Sequence, residues 1–396
     1  MHASSASTSH DHLQRSCTGQ HQSVRQHAAV MADWLRGPAH AAVVVLALAL
    51  ASSSVLTSIA LLAVLPGAED DNRCVRDAAV NGGWQFCTRS SVSTLNADPS
   101  IRMCERMTLA EWNMLSEEEI SALQGPVLVE NAVIDWPAHS KWRRKDMHGT
   151  YGHVKFKLDK EKDVSNHQNR NMTWLSMAEY LDKLASNKSD GLLMFDRSGS
   201  MPPEMLADIV RPVHPPQFRD DDVWQHTTLS LGGHRSGVPW HSHPRTWNAL
   251  LFGEKRWLFF PGTKMLSSEY RAWFIFGKTS ASDWQRDHNG IKRMNDAKRK
   301  TSYEWVAGRY RDAELRREMV LHGWECVQRP GELVYFGDWL FHMTVNRGEV
   351  LSVVSEMCAD SQHADARCRP VYRDFQRQRH LARESAVASG VSGPVA

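Results

Sequence analysis

The sequence predicts a mainly β (α+β) domain with helices at its N-terminal end, preceded by one transmembrane helix. Three observations carry that reading. Capping-box spacings cluster early in the chain, β-rich runs cluster late, and the segment Ala41–Leu65 contains no charged residue. Helices followed by strands, without alternation, argue against repeated βαβ units.

Residues 1–38 are rich in Ser, His, Gln and Ala without hydrophobic periodicity and read as a disordered tail. Residues 39–66 read as a transmembrane signal anchor, because the uncharged run reaches the ~20 residues a spanning helix needs. A cleaved signal peptide is the competing reading; its apolar region is usually shorter, and Pro66-Gly67-Ala68 is a poor cleavage site. Arg25 and Arg36 before the segment are balanced by Arg73 and Arg76 after it, so flanking charge does not orient the anchor. Two other features favour a lumenal or extracellular domain. Asn171-Met172-Thr173 and Asn187-Lys188-Ser189 match the glycosylation acceptor pattern. Six of the seven cysteines (Cys74, Cys87, Cys104, Cys326, Cys358 and Cys368) follow the anchor, an even number compatible with disulfides whose pairing the sequence does not choose.

Residues 67–104 form a Cys-containing lead-in, residues 105–360 the main domain, with an insertion at about 263–299, and residues 361–396 a basic, disordered tail. Thr108 with Glu111, Ser116 with Glu119 and Ser176 with Glu179 have capping-box spacing and mark helices near 108–123 and 175–186. The second helix carries Met177, Tyr180, Leu181 and Leu184 on one face. "PVLVENAVIDWP" reads as a strand and a turn at Trp136-Pro137, and "KFKL", "GLLMF" and "HTTLSLGG" as further strands. "TWNALLF" and "KRWLFF" are two β-rich runs separated by Gly253-Glu254, a type II′ hairpin signal. "YEWVAGRYRDAELRREMV" reads as helical with a solvated charged face, and "RPGELVYF", "FHMTVN" and "VLSVVSEM" restart strand structure. The 42% hydrophobic content allows a sizeable core, and a net charge of +2 gives no reason to expect nucleic acid as a partner.

The chemistry-bearing residues lie in the late, β-rich part. His241 and His243, two apart, project from one face of an extended chain. With 20 histidines in 396 residues, such a pair carries little weight alone, and His10 and His12 form another. A third histidine adds weight. His342 lies in "VYFGDWLFHMTVN", where His342, Thr344 and Asn346 share one strand face and Phe341, Met343 and Val345 the other. Lys255 alternates with Trp257 and Phe259. A barrel lined by three His, Asn, Lys and Trp is a polar pocket in an aromatic wall, suited to a small anion beside a metal. Trp240 and Trp247 flank the histidines and read as packing residues.

At these residues the chain resembles the JmjC-type cupin family. The matching pieces are "PVLVENAVIDWP", "TTLSLGGHRSGVPWHSHPRTWNALLFGEKRWLFFPG" and "CVQRPGELVYFGDWLFHMTVN", covering roughly Thr108 to Met357. "SGVP" before the first histidine, the H-x-H and Glu325-Cys326 are most similar to an endoplasmic-reticulum lumenal member. The resemblance implies a double-stranded β-helix (cupin/JmjC jelly roll) holding Fe(II), with 2-oxoglutarate as co-substrate and hydroxylation of a protein side chain as outcome. His241 and His342 would be metal ligands, with His243 the third. Lys255 would pair with the distal carboxylate of 2-oxoglutarate, Asn248 would hydrogen-bond near the metal or co-substrate, and one of Ser352 or Ser355 would help hold that carboxylate. Two positions depart from the family: His243 stands where an Asp or Glu ligand is usual, and Val238 where many members place a Thr. The alternatives are a non-catalytic module binding a lumenal partner and a three-histidine cupin oxygenase that does not use 2-oxoglutarate. The implied location is the endoplasmic reticulum or another secretory-pathway membrane, single-pass, with the C-terminal domain lumenal.

Overall fold

The computed structural model describes residues 74–369 except 89–95, 165–172, 190, 197–199, 210–222, 266, 279, 287–289, 291, 296–298, 309–311 and 360–367, and also residues 373 and 376. The segment Ala41–Leu65 and the acceptor Asn171 lie outside these residues. Among the described residues no helix is long and apolar enough to cross a membrane.

All three capping boxes form: Thr108, Ser116 and Ser176 each accept from the backbone three residues on, and Glu111, Glu119 and Glu179 reach back. The stretch expected as helix near 108–123 is two helices, Leu109–Met114 and Glu117–Ala122, because the Ser116 box opens a second one. The helix Met177–Ala185 buries the four predicted side chains. Asn187, just beyond it, is exposed with φ 54°, a surface turn position.

Strands are numbered in chain order. β1 (Cys74–Arg76) and β2 (Gln85–Cys87) form a small ribbon. The main sheet contains β3 (Arg102–Met103), β4 (Glu105–Thr108), β5 (Val127–Glu130), β6 (Lys155–Lys160), β7 (Thr173–Ser176), β8 (Leu192–Asp196), β9 (Val223–Gly232) and β10 (Thr246–Phe260). β11 (Trp284–Arg286) and β12 (Lys292–Met294) form a hairpin in the insertion, and β13 (Trp324–Gln328), β14 (Leu333–Phe336) and β15 (Phe341–Ala359) rejoin the main sheet. Its order is β4-β5-β14-β10-β15-β9-β8-β6-β7, with β13 also on β10 and β3 on β13.

The expected hairpin at Gly253-Glu254 does not form. β10 runs unbroken and pairs with β15 along its whole length, while one edge meets β14 through residues 246–249 and β13 through residues 255–259. Gly253 does adopt positive φ (85°), but it bends the strand instead of reversing it. A Cβ there would strike the Glu349 carbonyl. The register shows what the bend does. Leu250 pairs with Ser352 and Phe252 with Leu351, so Leu251 and Phe252 together oppose one residue. That bulge puts both on the same side, in one apolar cluster with Trp247 and Ala249. Facing parity therefore switches. Before the bulge the even residues face inward; after it Lys255, Trp257 and Phe259 do.

The sheet folds over itself, and its interior is a compact cluster of Leu128, Trp257, Phe259, Val334 and Phe336 beside the Cys104–Cys326 disulfide. Phe336 lies 5.2 Å from Phe259 and 4.5 Å from His342, ring to ring, bringing opposite halves together. A large outer cluster packs beneath the N-terminal helices, and another packs Trp240, Leu258, Phe260 and Met343 beneath the helices of residues 268–322. The predicted helical run there is two helices, Ser302–Gly308 and Ala313–His322. The lead-in docks at the corner through buried Glu349, which accepts from Arg76 at 2.7 Å, Arg144 at 3.2 Å and Gln85 N at 2.9 Å. The six cysteines pair as Cys74–Cys87, Cys104–Cys326 and Cys358–Cys368.

Candidate metal centre and co-substrate pocket

The three histidines converge. His241 and His342 are tied by two backbone hydrogen bonds, His241 N to His342 O at 2.9 Å and the reverse at 2.8 Å. His243 precedes β10, and its carbonyl accepts from Trp339 N at 3.0 Å. Ring centroids lie 4.1 Å (His241–His342), 4.6 Å (His243–His342) and 5.1 Å (His241–His243) apart, and one ligand atom from each falls within 4.8 Å of the other two.

Tautomers are set by the backbone. Nδ1 of His241 donates to Pro239 O at 2.7 Å, Nδ1 of His243 to Pro244 O at 2.8 Å, and Nδ1 of His342 to Leu340 O at 2.8 Å. A proton held on Nδ1 leaves the Nε2 lone pair as the donor atom, the arrangement metal-bound imidazoles need. Burial holds His342 well below the ordinary imidazole pKa, and the charges of His241 and His243 push the same way, so its ring is neutral. Asp338, beside the Trp339 that bonds His243, accepts from Arg245 N at 2.7 Å and supplies no ligand atom to the cluster.

Lys255 stands further along the same interior face. Paired residues share a side of a sheet, so Asn346, Lys255 and Gln328 make one polar row across β15, β10 and β13. Thr344, Trp257 and Cys326 make the next row, and His342, Phe259 and Trp324 the one beyond it. Roughly 13 Å of strand, at ~3.3 Å per residue, separates the lysine row from the histidine row. Lys255 is 4% exposed, and its ammonium donates to Ser352 Oγ at 2.8 Å. Among the described residues it has no carboxylate partner. Burial alone drops its pKa from 10.5 to about 7. Asn248 faces the same interior and donates to Ser352 Oγ at 3.4 Å, while its buried Oδ1 has no partner among the described residues.

The serine expectation is corrected. Ser355 is an odd number of residues from Ser352 on an unbroken strand, so it sits on the opposite side with Val353 and Met357 of the outer cluster. Ser352 is the pocket serine. Val238 packs with Val164 and Leu193, and its N–H donates to Thr344 Oγ1 at 2.9 Å. Trp240 and Trp247 are packing residues, in the two outer clusters. Sequence reasoning did not find Gln328, whose Oε1 accepts from Trp257 Nε1 at 2.8 Å and whose Nε2 donates to Asn248 O at 2.8 Å. Its place follows from pairing with Lys255, which periodicity in one strand does not show.

Among the described residues the buried cation has no anionic partner and the neighbouring amide oxygen no donor, a pairing that suits a polar ligand. Three converging imidazoles suit Fe(II), Zn or Mn. The residues thus fit a divalent metal with a carboxylate compound alongside it.

Comparison with known proteins supplies the family. The cupin-like domain family model matches residues 113–355, more than half of the chain. The chain is similar to the bifunctional arginine demethylase and lysyl-hydroxylase psr-1 of Caenorhabditis briggsae, 23% identical over 246 residues, which cover 59% of this chain and 56% of that protein. It is also similar to the lysine-specific demethylase JMJ21 of Arabidopsis thaliana, 28% identical over 154 residues (35% of this chain, 15% of that protein). Against JmjC domain-containing protein 8 of Mus musculus it is 24% identical over 140 residues, 35% of this chain and 40% of that protein. The chain thus spans little more than half the length of the first of these relatives. With three histidines and a buried lysine on one interior face of a matching fold, the chain belongs to the JmjC-type cupin-like domain family.

Proposed function

We propose that this chain is an Fe(II)- and 2-oxoglutarate-dependent oxygenase that hydroxylates a protein side chain within the secretory pathway. The observation that carries the reading is the pairing, on one interior face, of three convergent imidazoles with a buried ammonium that has no carboxylate partner among the described residues. His241, His243 and His342 would hold the iron, which when bound supplies oxygen activation coupled to decarboxylation of 2-oxoglutarate to succinate. Lys255 binds the distal carboxylate, and Ser352 and Asn248 orient it. Trp257, Phe259 and Phe336 exclude water and lower the local dielectric, which strengthens the lysine–carboxylate attraction. Three Nδ1–carbonyl bonds keep the imidazoles aimed without bringing in charge.

The location rests on separate support. Three disulfides favour an oxidising compartment. Asn187 is exposed as a glycan acceptor must be, and Ala41–Leu65 has the length of a membrane anchor.

His243 and Val238 favour a second reading, a three-histidine cupin oxygenase indifferent to 2-oxoglutarate. The experiment is succinate release by the purified chain with Fe(II), 2-oxoglutarate and oxygen, beside Lys255→Ala. Release lost in the variant supports the proposal. Oxygen consumption that ignores 2-oxoglutarate supports the second reading, and no turnover with either contradicts both and leaves a binding module.

A further inference from the structure

On the outer side of the sheet, behind the histidines, a cavity of about 460 Å³ lies between β15 and the segment 271–305. That volume is within the range of small-molecule sites. Its wall carries six cationic side chains, Lys162, Arg271, Lys292, Arg293, Arg299 and Lys300, and no carboxylate among the described residues that line it. Behind the wall, Asp163 pairs with Arg299 at 2.8 Å, Glu304 reaches Lys162 at 4.0 Å, and buried Glu161 accepts from Ser302 N at 2.9 Å. Three indoles, Trp240, Trp284 and Trp305, add flat apolar surface. One buried polar atom of a wall residue, Trp240 Nε1, has no hydrogen-bond partner among the described residues. Buried donors are rarely left this way without an unseen acceptor. The cavity is distinct from the co-substrate pocket: Trp240 and Met343 alternate with His241 and His342 and face the other side of the chain.

We propose that this cavity binds a small organic anion that carries a phosphate or sulfate on a planar aromatic body. Clustered Arg and Lys recognise such oxyanions through charge-assisted hydrogen bonds, and the indoles stack the ring. A simple dicarboxylate would leave the indoles unused. The test is fluorescence titration of the full chain, whose tryptophans report on the cavity, with ADP, 1-naphthyl sulfate and inorganic phosphate. The companion variant is Lys292→Glu/Lys300→Glu, two exposed positions whose exchange leaves the core untouched. ADP or naphthyl sulfate binds saturably, inorganic phosphate binds about tenfold more weakly or worse, and the double variant loses about tenfold in affinity with an unchanged melting temperature. Binding of ADP alone assigns the nucleotide source, and binding of both aromatic anions the shared chemistry. The proposal is overturned if neither aromatic probe saturates, if inorganic phosphate binds as tightly as they do, or if the double variant binds like the wild type.

Discussion

The two ends of the barrel interior are built on opposite electrostatic terms. At the histidine end three imidazoles give their Nδ1 protons to backbone carbonyls, so a divalent ion held there by the rings would gain no negative charge from its ligands. At the lysine end a cation is buried beside one serine hydroxyl. A family member with a carboxylate ligand splits its compensation between protein and co-substrate. Here no carboxylate among the described residues joins either end, so in the proposed function the anion would supply it. The difference teaches that, in the proposed oxygenase, His243 would not simply weaken the site; it would shift the burden of neutralising a metal onto the ligand bound between metal and lysine.

The largest change that could break this comparison is His342→Ala. It removes the ring nearest both others, and metal affinity falls by about 100-fold or more, read by anaerobic titration with Mn(II). Next is Lys255→Met, which exchanges a desolvated cation for an apolar stem of similar length. The ligand-free fold gains about 1–3 kcal/mol in denaturant unfolding, a gain expected of a residue kept for binding and not for stability. A loss of stability would show that the ammonium is a structural element. His243→Asp sharpens the comparison from the other end: the added charge tightens Mn(II) binding by about tenfold, close to 1.4 kcal/mol.

The smallest effect is in pH. The folded pKa of Lys255, about 7, lies below its unfolded value of 10.5. Between those values the unfolded chain binds more protons, so ligand-free stability rises with pH across that window. Anion binding runs the other way, because the protonated lysine is the competent form. Affinity of the metal-free protein for glutarate therefore falls about threefold from pH 6.5 to 7.5, as calorimetry at the two pH values would register. An affinity that does not change, or that rises, removes Lys255 from the anion end.

Much of the site was legible because strand alternation is a strict rule. It placed His342, Thr344 and Asn346 on one face and Lys255 with Trp257 and Phe259 on another stretch of the same interior. The capping boxes were legible for a similar reason, since each is a short local hydrogen-bond pattern. What failed needed partners distant in sequence. Gly253-Glu254 signals positive φ, which serves a hairpin or a bulge equally, and only pairing with β15 decides between them. Ser352 and Ser355 could be separated only once residues 341–359 proved to be one unbroken strand. Disulfide partners such as Cys104 and Cys326 lie 222 residues apart, beyond any local signal.

The most direct test is calorimetric titration of 2-oxoglutarate, without oxygen, into metal-free protein, Mn(II)-loaded protein and Mn(II)-loaded Lys255→Met. One equivalent should bind tightly to the loaded wild type, and about 100-fold more weakly when either the metal or the ammonium is missing. Equal affinity in all three, or no binding to the loaded wild type, would contradict a single pocket stretched between three imidazoles and a lysine.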